Sequence, residues 1–384
     1  LDLNTEEFCL NKIKKIGILT GGGDCSGLNA VIYGVTKTAI LKYGLEVVGF
    51  MRGYAGLYNN DYIDLTLEKV SGIVHLGGTI LKSSAKDNLF NYRVVDKNGK
   101  ESHQDVSDVA MENMRKLGVD ALIVLGGDGT LTSARDFARK GLPIVGIPKT
   151  IDNDLPATDM TFGYNTSLEA ITDALDKIHT TAASHDRVMV VEVMGRNAGW
   201  LALEGGLAGS ADVILIPEIS YDINKVVAKI KERDAKNKLF TVIVISEGAK
   251  EKDGAQVVKE VINDRPDKIR LGGAGEAFAN KLQKLVTNHE VRTTNLAYLQ
   301  RGGITSQFDR VLSLNFGVAA VELLMEGTYG HMVVYKDGTI KNVALEDVLG
   351  RGKTGETSAG GKKTVNPNGR LVKTAKAIGI SFGD

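Results

Sequence analysis

The 384-residue sequence carries 47 basic and 47 acidic side chains, with 43% hydrophobic and 24% charged residues. This is the balance of an average globular chain, with no overall positive field to gather nucleic acid, and the length fills two or three domains without disulfide support. The two cysteines, Cys9 and Cys25, offer neither a disulfide framework nor metal-ligand spacing. No apolar run reaches the ~18 residues of a membrane span. Residues 1–11 lack a charged-then-apolar leader pattern, so a cytoplasmic protein with no membrane or nucleic-acid partner is expected.

In chain order, Lys15–Thr20 is a short apolar run that ends in Gly21-Gly22-Gly23-Asp24. Residues 27–43 read as a helix with Val31, Val35 and Ala39 on one face, and Glu46–Phe50 reads as a second strand. The rhythm returns at 121–125, which runs into Gly126–Thr130 and a helix, and at 143–147, which runs into 148–154. A helix follows with Leu168, Ile171, Leu175 and Ile178 on one face, then a strand at 187–193 and a loop at 194–197. Further strands are expected at 212–216 and 240–245, with a helix between them at 226–234. Nearly continuous apolar strands alternating with helices predict an α/β fold of two Rossmann-like three-layer lobes with largely parallel sheets. Functional loops belong at the carboxyl ends of such strands, in a cleft between the lobes. The expected lobes are 12–163 with 300–350, and 164–299. Residues 351–384 read as a flexible loop and a tail.

Three of these loops carry candidate chemistry. The first, with Gly22 and Gly23, could wrap a phosphate with backbone N–H groups, although it has neither the GxGxxG nor the GxxxxGK[ST] spacing. In the second, Gly127, Gly129 and Thr130 surround Asp128, a hard oxygen ligand of the kind Mg²⁺ accepts, or equally a helix cap. The third places Lys149, Asp152 and Asp154 within six residues of one another. Two neighbouring carboxylates repel, and a sugar hydroxyl attacking a phosphoryl group needs one carboxylate to take its proton. Asp152 is the candidate base, Asp154 would orient it or hold metal, and Lys149 and Thr150 would meet the moving phosphoryl oxygens. A solvated Asx-turn is the alternative. Arg187, Arg196, Arg292 and Arg301 stand at strand edges or in glycine-bearing loops, where a guanidinium fork suits phosphate. Glu247, after another apolar run, could accept sugar hydroxyls.

Taken together, residues 21–29, 125–130, 146–154, 184–196 and 300–310 resemble, in order, the signatures of the phosphofructokinase family. Those enzymes phosphorylate fructose 6-phosphate at its 1-hydroxyl, and the resemblance runs from about Lys14 to Leu349. It implies Asp152 as general base, with Thr150 and Arg196 stabilising the transferred group. It assigns Mg²⁺ to Asp128 and Asp154, and the phosphoryl donor to Gly22, Gly23, Gly127, Asp128, Gly129, Thr130 and Lys149. Met194, Gly195, Arg196, Glu247 and Arg301 would contact the sugar phosphate. Arg187 and Arg292 resemble arginines lent across a subunit interface, which implies a homodimer or homotetramer. Tyr298 stands where the familiar ATP enzymes have a histidine near the sugar phosphate. Glycine at 129 with lysine at 149 resembles an ATP-using branch that shares the lysine of pyrophosphate enzymes. Departures fall at Lys82 and Ala85, where the family has glycine and a donor-facing arginine, with Lys82 or Lys86 as possible replacements. Ser26 replaces a proline, and Tyr33 replaces an effector-site arginine near Lys37, which implies an altered regulatory site. Pyrophosphate use, another phosphorylated ketose, and a non-catalytic subunit of the same fold are the alternative readings.

Overall fold

The structure, a computed structural model, describes residues 13–84, 86–95, 99–261, 269–350 and 361–384. Ala85 and the expected flexible loop at 351–360 lie outside the described residues. The chain forms two compact units, Leu1–Lys149 with Arg310–Gly360, and Thr150–Asp309 with Gly361–Asp384. The crossings therefore fall at 149/150 and 309/310, where the sequence had suggested 163/164 and 299/300. Segment 361–384 is no separate tail; it belongs to the second unit.

In the first unit, β1 (Lys15–Thr20), α1 (Leu28–Tyr43), β2 (Glu46–Phe50), α2 (Tyr54–Asn59) and β3 (Tyr62–Asp64) lead to a hairpin of β4 (Tyr92–Val95) and β5 (Glu101–Gln104). Then come α3 (Ser107–Lys116), β6 (Ala121–Gly126), α4 (Asp128–Arg139) and β7 (Ile144–Pro148). In the second unit lie α5 (Tyr164–Ser184), β8 (Val188–Val193), α6 (Trp200–Ala208), β9 (Val213–Leu215), α7 (Ile223–Asp234) and β10 (Thr241–Ser246). A short antiparallel pair, β11 (Val258–Val261) and β12 (Ile269–Leu271), precedes α8 (Ala274–Leu285) and β13 (Val291–Asn295). The chain then continues through α9 (Gln307–Met325), β14 (His331–Lys336), β15 (Thr339–Ala344), α10 (Leu345–Leu349) and α11 (Arg370–Ala377).

The first unit's sheet has the order β15-β14-β7-β6-β1-β2-β3. Its five inner strands are mutually parallel, and antiparallel partners close both edges. The second unit's sheet, β13-β8-β10-β9, is parallel throughout. Every residue of β6, β8 and β10 is buried, as continuous apolar runs covered on both faces require. Val188, Val190, Ile243 and Ile245 face α7 and α8 in one core, while α5 and α6 cover the other face. Among the described residues no helix is long and apolar enough to cross a membrane.

Candidate active site

In the first unit, three loops leave one edge of the sheet together. β1 and β6 pair in register up to Thr20 and Leu125, and Gly21 N–H donates to Leu125 O at 2.8 Å. The end of β7 joins them, because Lys149 N–H donates to Gly126 O at 2.9 Å. The Lys149 side chain is buried, and its ammonium donates to the Gly23 carbonyl. Gly22 adopts φ +81°, and a Cβ there would stand 3.1 Å from that ammonium. At Gly126 a Cβ would meet Thr130 Cβ at 2.3 Å, so only glycine lets β6 turn directly into α4. Residues 82–84 are tied to the same edge. Thr20 Oγ1 donates to Lys82 O at 2.7 Å, and Ser83 Oγ donates to Gly22 O at 2.6 Å.

Asp128 opens α4 after Gly127, which provides no side-chain cap. The N–H groups of a helix's first turn have no intrahelical acceptor, and with the helix dipole they favour anions. Gly129 is exposed, and nothing lies within 4 Å of where its Cβ would be. The structure thus brings Gly22, Gly23, Gly127, Asp128, Gly129, Thr130 and Lys149 to one sheet edge. No group of three or more His, Cys, Asp or Glu suited to a metal occurs among the described residues.

In the second unit, residues 150–161 form a loop closed on itself. Asp152 N–H donates to Thr150 Oγ1 at 3.2 Å, and that hydroxyl donates to Asp154 Oδ1 at 3.3 Å. Asn153 takes φ +50°, a conformation Asn tolerates better than most residues, and its carboxamide oxygen accepts from Thr161 N–H at 3.2 Å. Thr161 Oγ1 donates to Thr150 O at 2.6 Å. This is a hydrogen-bonded turn built on the Thr150 hydroxyl rather than on an Asx side chain, with Asp152 half-buried and Asp154 buried. Asp154 is 6% exposed and pairs with Lys362 Nζ at 2.7 Å.

Burial, and after it the Asp154 charge, push the Asp152 carboxyl up to about 7. Arg301 and Lys362 pull the other way, and Glu247 adds a smaller upward push. Glu247 is itself raised, by burial first and then by Glu192. Arg196 is lowered by burial against the opposing pull of Glu247 and Asp152. These groups meet because β8 and β10 pair in register and their loops emerge side by side. Glu247 N–H donates to Val193 O at 2.9 Å, and Ser246 Oγ donates to Gly195 O. A Cβ on Gly248 would lie 2.0 Å from Arg196 O, which fixes glycine there. Gln300 holds the Met194 N–H at 3.2 Å, and Arg301 Nε lies 3.3 Å from Met194 Sδ. Tyr298, 64% exposed, sits in the turn just before Arg301.

Arg187 and Arg292 are not part of this cluster. They stand at the amino ends of β8 and β13, about 20 Å away along a six-residue strand. There both close on Glu290: Arg187 Nε donates to Oε2 at 2.6 Å, and Arg292 donates to Oε1. Lys362 and Lys363 are the site residues that sequence reading missed. Lys363 Nζ donates to Asp159 O at 2.6 Å and Thr158 O at 3.1 Å, and its carbonyl accepts from Trp200 Nε1 at 2.9 Å.

An aspartate kept near neutrality among arginines, at the carboxyl edge of a parallel sheet, is equipment for proton abstraction beside an anionic group. With a glycine-rich helix start at a second sheet, it marks an α/β enzyme of the phosphotransferase class. The sequence matches the family model described as Phosphofructokinase over residues 15–324. It is 60% identical over 375 residues to ATP-dependent 6-phosphofructokinase 2 of Clostridium perfringens (strain 13 / Type A), covering 98% of this chain and 100% of that one. A Streptomyces coelicolor relative, pyrophosphate–fructose 6-phosphate 1-phosphotransferase, is 43% identical over 341 residues, 88% of this chain and 96% of its own. Phosphofructokinase from Saccharomyces cerevisiae superposes with a TM-score of 0.72 at 30% identity, over 86% of this chain and 45% of the yeast chain. This chain therefore spans less than half of the yeast one. The chain belongs to the phosphofructokinase family.

Proposed function

We propose that this chain is an ATP-dependent 6-phosphofructokinase, moving the γ-phosphoryl group of ATP to the 1-hydroxyl of fructose 6-phosphate. The observation that carries this reading is Asp152, a carboxyl raised to about 7 between Arg301 and Asp154 in the loop after β7. A base with that affinity takes the hydroxyl proton as attack proceeds and is about half ionised at neutral pH, where it balances basicity against availability. Thr150 and Arg196 face the transferred group, while Met194, Gly195, Glu247 and Arg301 hold the sugar phosphate. Asp128 would hold Mg²⁺ at the start of α4, where the ion neutralises phosphate charge when bound. Asp154 is already engaged by Thr150 and Lys362, so its part is to orient the loop.

The open space at Gly129 favours ATP, since a side chain there would crowd the α-phosphate. Arg187 and Arg292 serve the 6-phosphate of a neighbouring copy, which makes the working enzyme a homodimer or a tetramer of such pairs. Pyrophosphate use is the second reading. It is favoured by the buried Lys149 and by the Streptomyces relative. A coupled assay with fructose 6-phosphate at fixed magnesium, run with ATP, GTP and pyrophosphate in turn, tests both. ATP turnover abolished by EDTA is expected. Turnover with pyrophosphate alone favours the second reading, and none with any donor overturns both.

A further inference from the structure

The segment that follows residue 360 does more than finish the fold. Ser381 pairs with Val213 beside β9, with Ile214 N–H donating to Ser381 O at 2.9 Å. Phe382 and Val372 are buried, and α11 packs on α6. From this anchorage residues 362–365 run across the second unit's loops. Lys362 Nζ meets Asp154 Oδ2 at 2.7 Å, and Lys363 N–H donates to Asp154 O at 2.9 Å. The Lys363 ammonium ties Asp159 O and Thr158 O, while its carbonyl takes the indole N–H of Trp200. Val365 N–H donates to Glu218 Oε1 at 2.7 Å. The same carboxylate accepts Gly199 N–H, three residues after Arg196, at 3.0 Å on Oε1 and 3.2 Å on Oε2. One short stretch of chain therefore bridges the loop of Asp152 to the loop of Arg196.

We propose that residues 362–365 form a strap that positions the phosphoryl-transfer loop, with Lys362 as a positioning residue acting through Asp154. The inference rests on the function proposed above. Asp154 is too buried to rely on water for its charge, so its side chain goes where its counter-ion stands. Thr150 Oγ1 shares that carboxylate and also accepts the Asp152 N–H, so the geometry passes from Lys362 through Asp154 and Thr150 to the backbone of the base. Small displacements of a reacting group are costly: about 1 Å can lower a rate ~10²-fold. Loss of Lys362 therefore acts on turnover more than on substrate affinity.

The test compares Lys362→Met, Lys362→Arg and Lys363→Met in the full-length protein, with rates normalised to folded protein. Lys362→Met is expected to lower kcat about tenfold or more with KM for both substrates within about threefold, a pattern of lost positioning. Lys362→Arg restores most of kcat. Lys363→Met, which keeps the Lys362–Asp154 pair, loses less than Lys362→Met. Hydrogen–deuterium exchange at amides 150–161 is expected to quicken in Lys362→Met and to return in Lys362→Arg. If Lys362→Met does not fold, Lys362→Gln carries the same expectations with smaller losses. Unchanged kcat, unchanged exchange, or a kcat loss that arginine does not rescue overturns the strap. If the wild type turns over no sugar phosphate, the proposed function fails instead, and exchange at 150–161 alone decides whether Lys362 holds the loop.

Discussion

The two ends of the parallel sheet β13-β8-β10-β9 carry arginines under opposite conditions. At the carboxyl end Arg196 and Arg301 are half-buried among Asp152, Glu247 and Met194, and burial lowers Arg196 while it raises both acids. At the amino end Arg187 and Arg292 share the exposed Glu290, whose carboxyl they hold below the ordinary range, Arg292 foremost. The same residue type thus tunes a base at one end and waits in a solvated ion pair at the other. Exposed pairs contribute little to stability, so a phosphate can replace Glu290 at small cost. A desolvated cluster cannot be rearranged so cheaply. The contrast is the basis for the proposal made above, in which the base serves its own chain and the amino-end arginines serve a neighbouring copy.

Substitutions at the two ends should separate these roles. The largest effect is expected from Asp152→Ser, which should lower kcat at least ~10²-fold, whereas Glu290→Gln should leave kcat within about twofold. Steady-state assays at saturating substrates read both, and equal losses would erase the distinction. Next in size, Gly129→Asp should cut kcat/KM for ATP about tenfold or more by like-charge repulsion, with a much smaller effect on any pyrophosphate activity. The pH profile sharpens the carboxyl end further. With the Asp152 carboxyl at about 7, protonation removes the base, so kcat should fall about tenfold per pH unit below that value. A limb near pH 4 would place the base elsewhere. The smallest effect is on stability. The folded chain binds this proton more tightly than the unfolded chain does, so the group adds stability as pH falls from about 7 and withdraws it as pH rises through 7. Asp152→Asn should therefore raise the thermal midpoint at pH 8 by about 2–4 °C, and the gain should vanish near pH 4.

Much of this arrangement was legible in the sequence. Each glycine-rich loop follows a buried run, and neighbouring parallel strands in register deliver their loops to one edge, so Gly22, Asp128 and Lys149 could be grouped before any coordinates. Helix faces also read correctly: Val31, Val35 and Ala39 on α1 and Ile171, Leu175 and Ile178 on α5 are buried as their spacing predicts, with Leu168 half-buried at the edge of its face. The antiparallel additions were not read. β15 has no buried residue and β14 buries only Met332–Val334, and the sign of their hairpin is Asp337-Gly338, which turns at φ +52° and +77°. Lys362 was invisible for a different reason. It meets Asp154 across 208 residues of sequence, and no local pattern records a contact of that range. The separation of Arg187 and Arg292 from Arg196 was written in strand direction, since a residue before β8 and one after it must lie at opposite ends of the sheet.

Complementation between two inactive variants tests the division between the sheet's ends most directly. Asp152→Ser and Arg292→Ser chains, differently tagged and co-expressed, are assayed with ATP at fructose 6-phosphate below the wild-type KM. If the amino-end arginine serves a neighbouring copy, hybrid dimers hold one complete site, and an even mixture recovers about a quarter of wild-type activity. If the mixture shows only the sum of the two separate variants, Arg292 does not act across copies, and the contrast between the two ends has another origin.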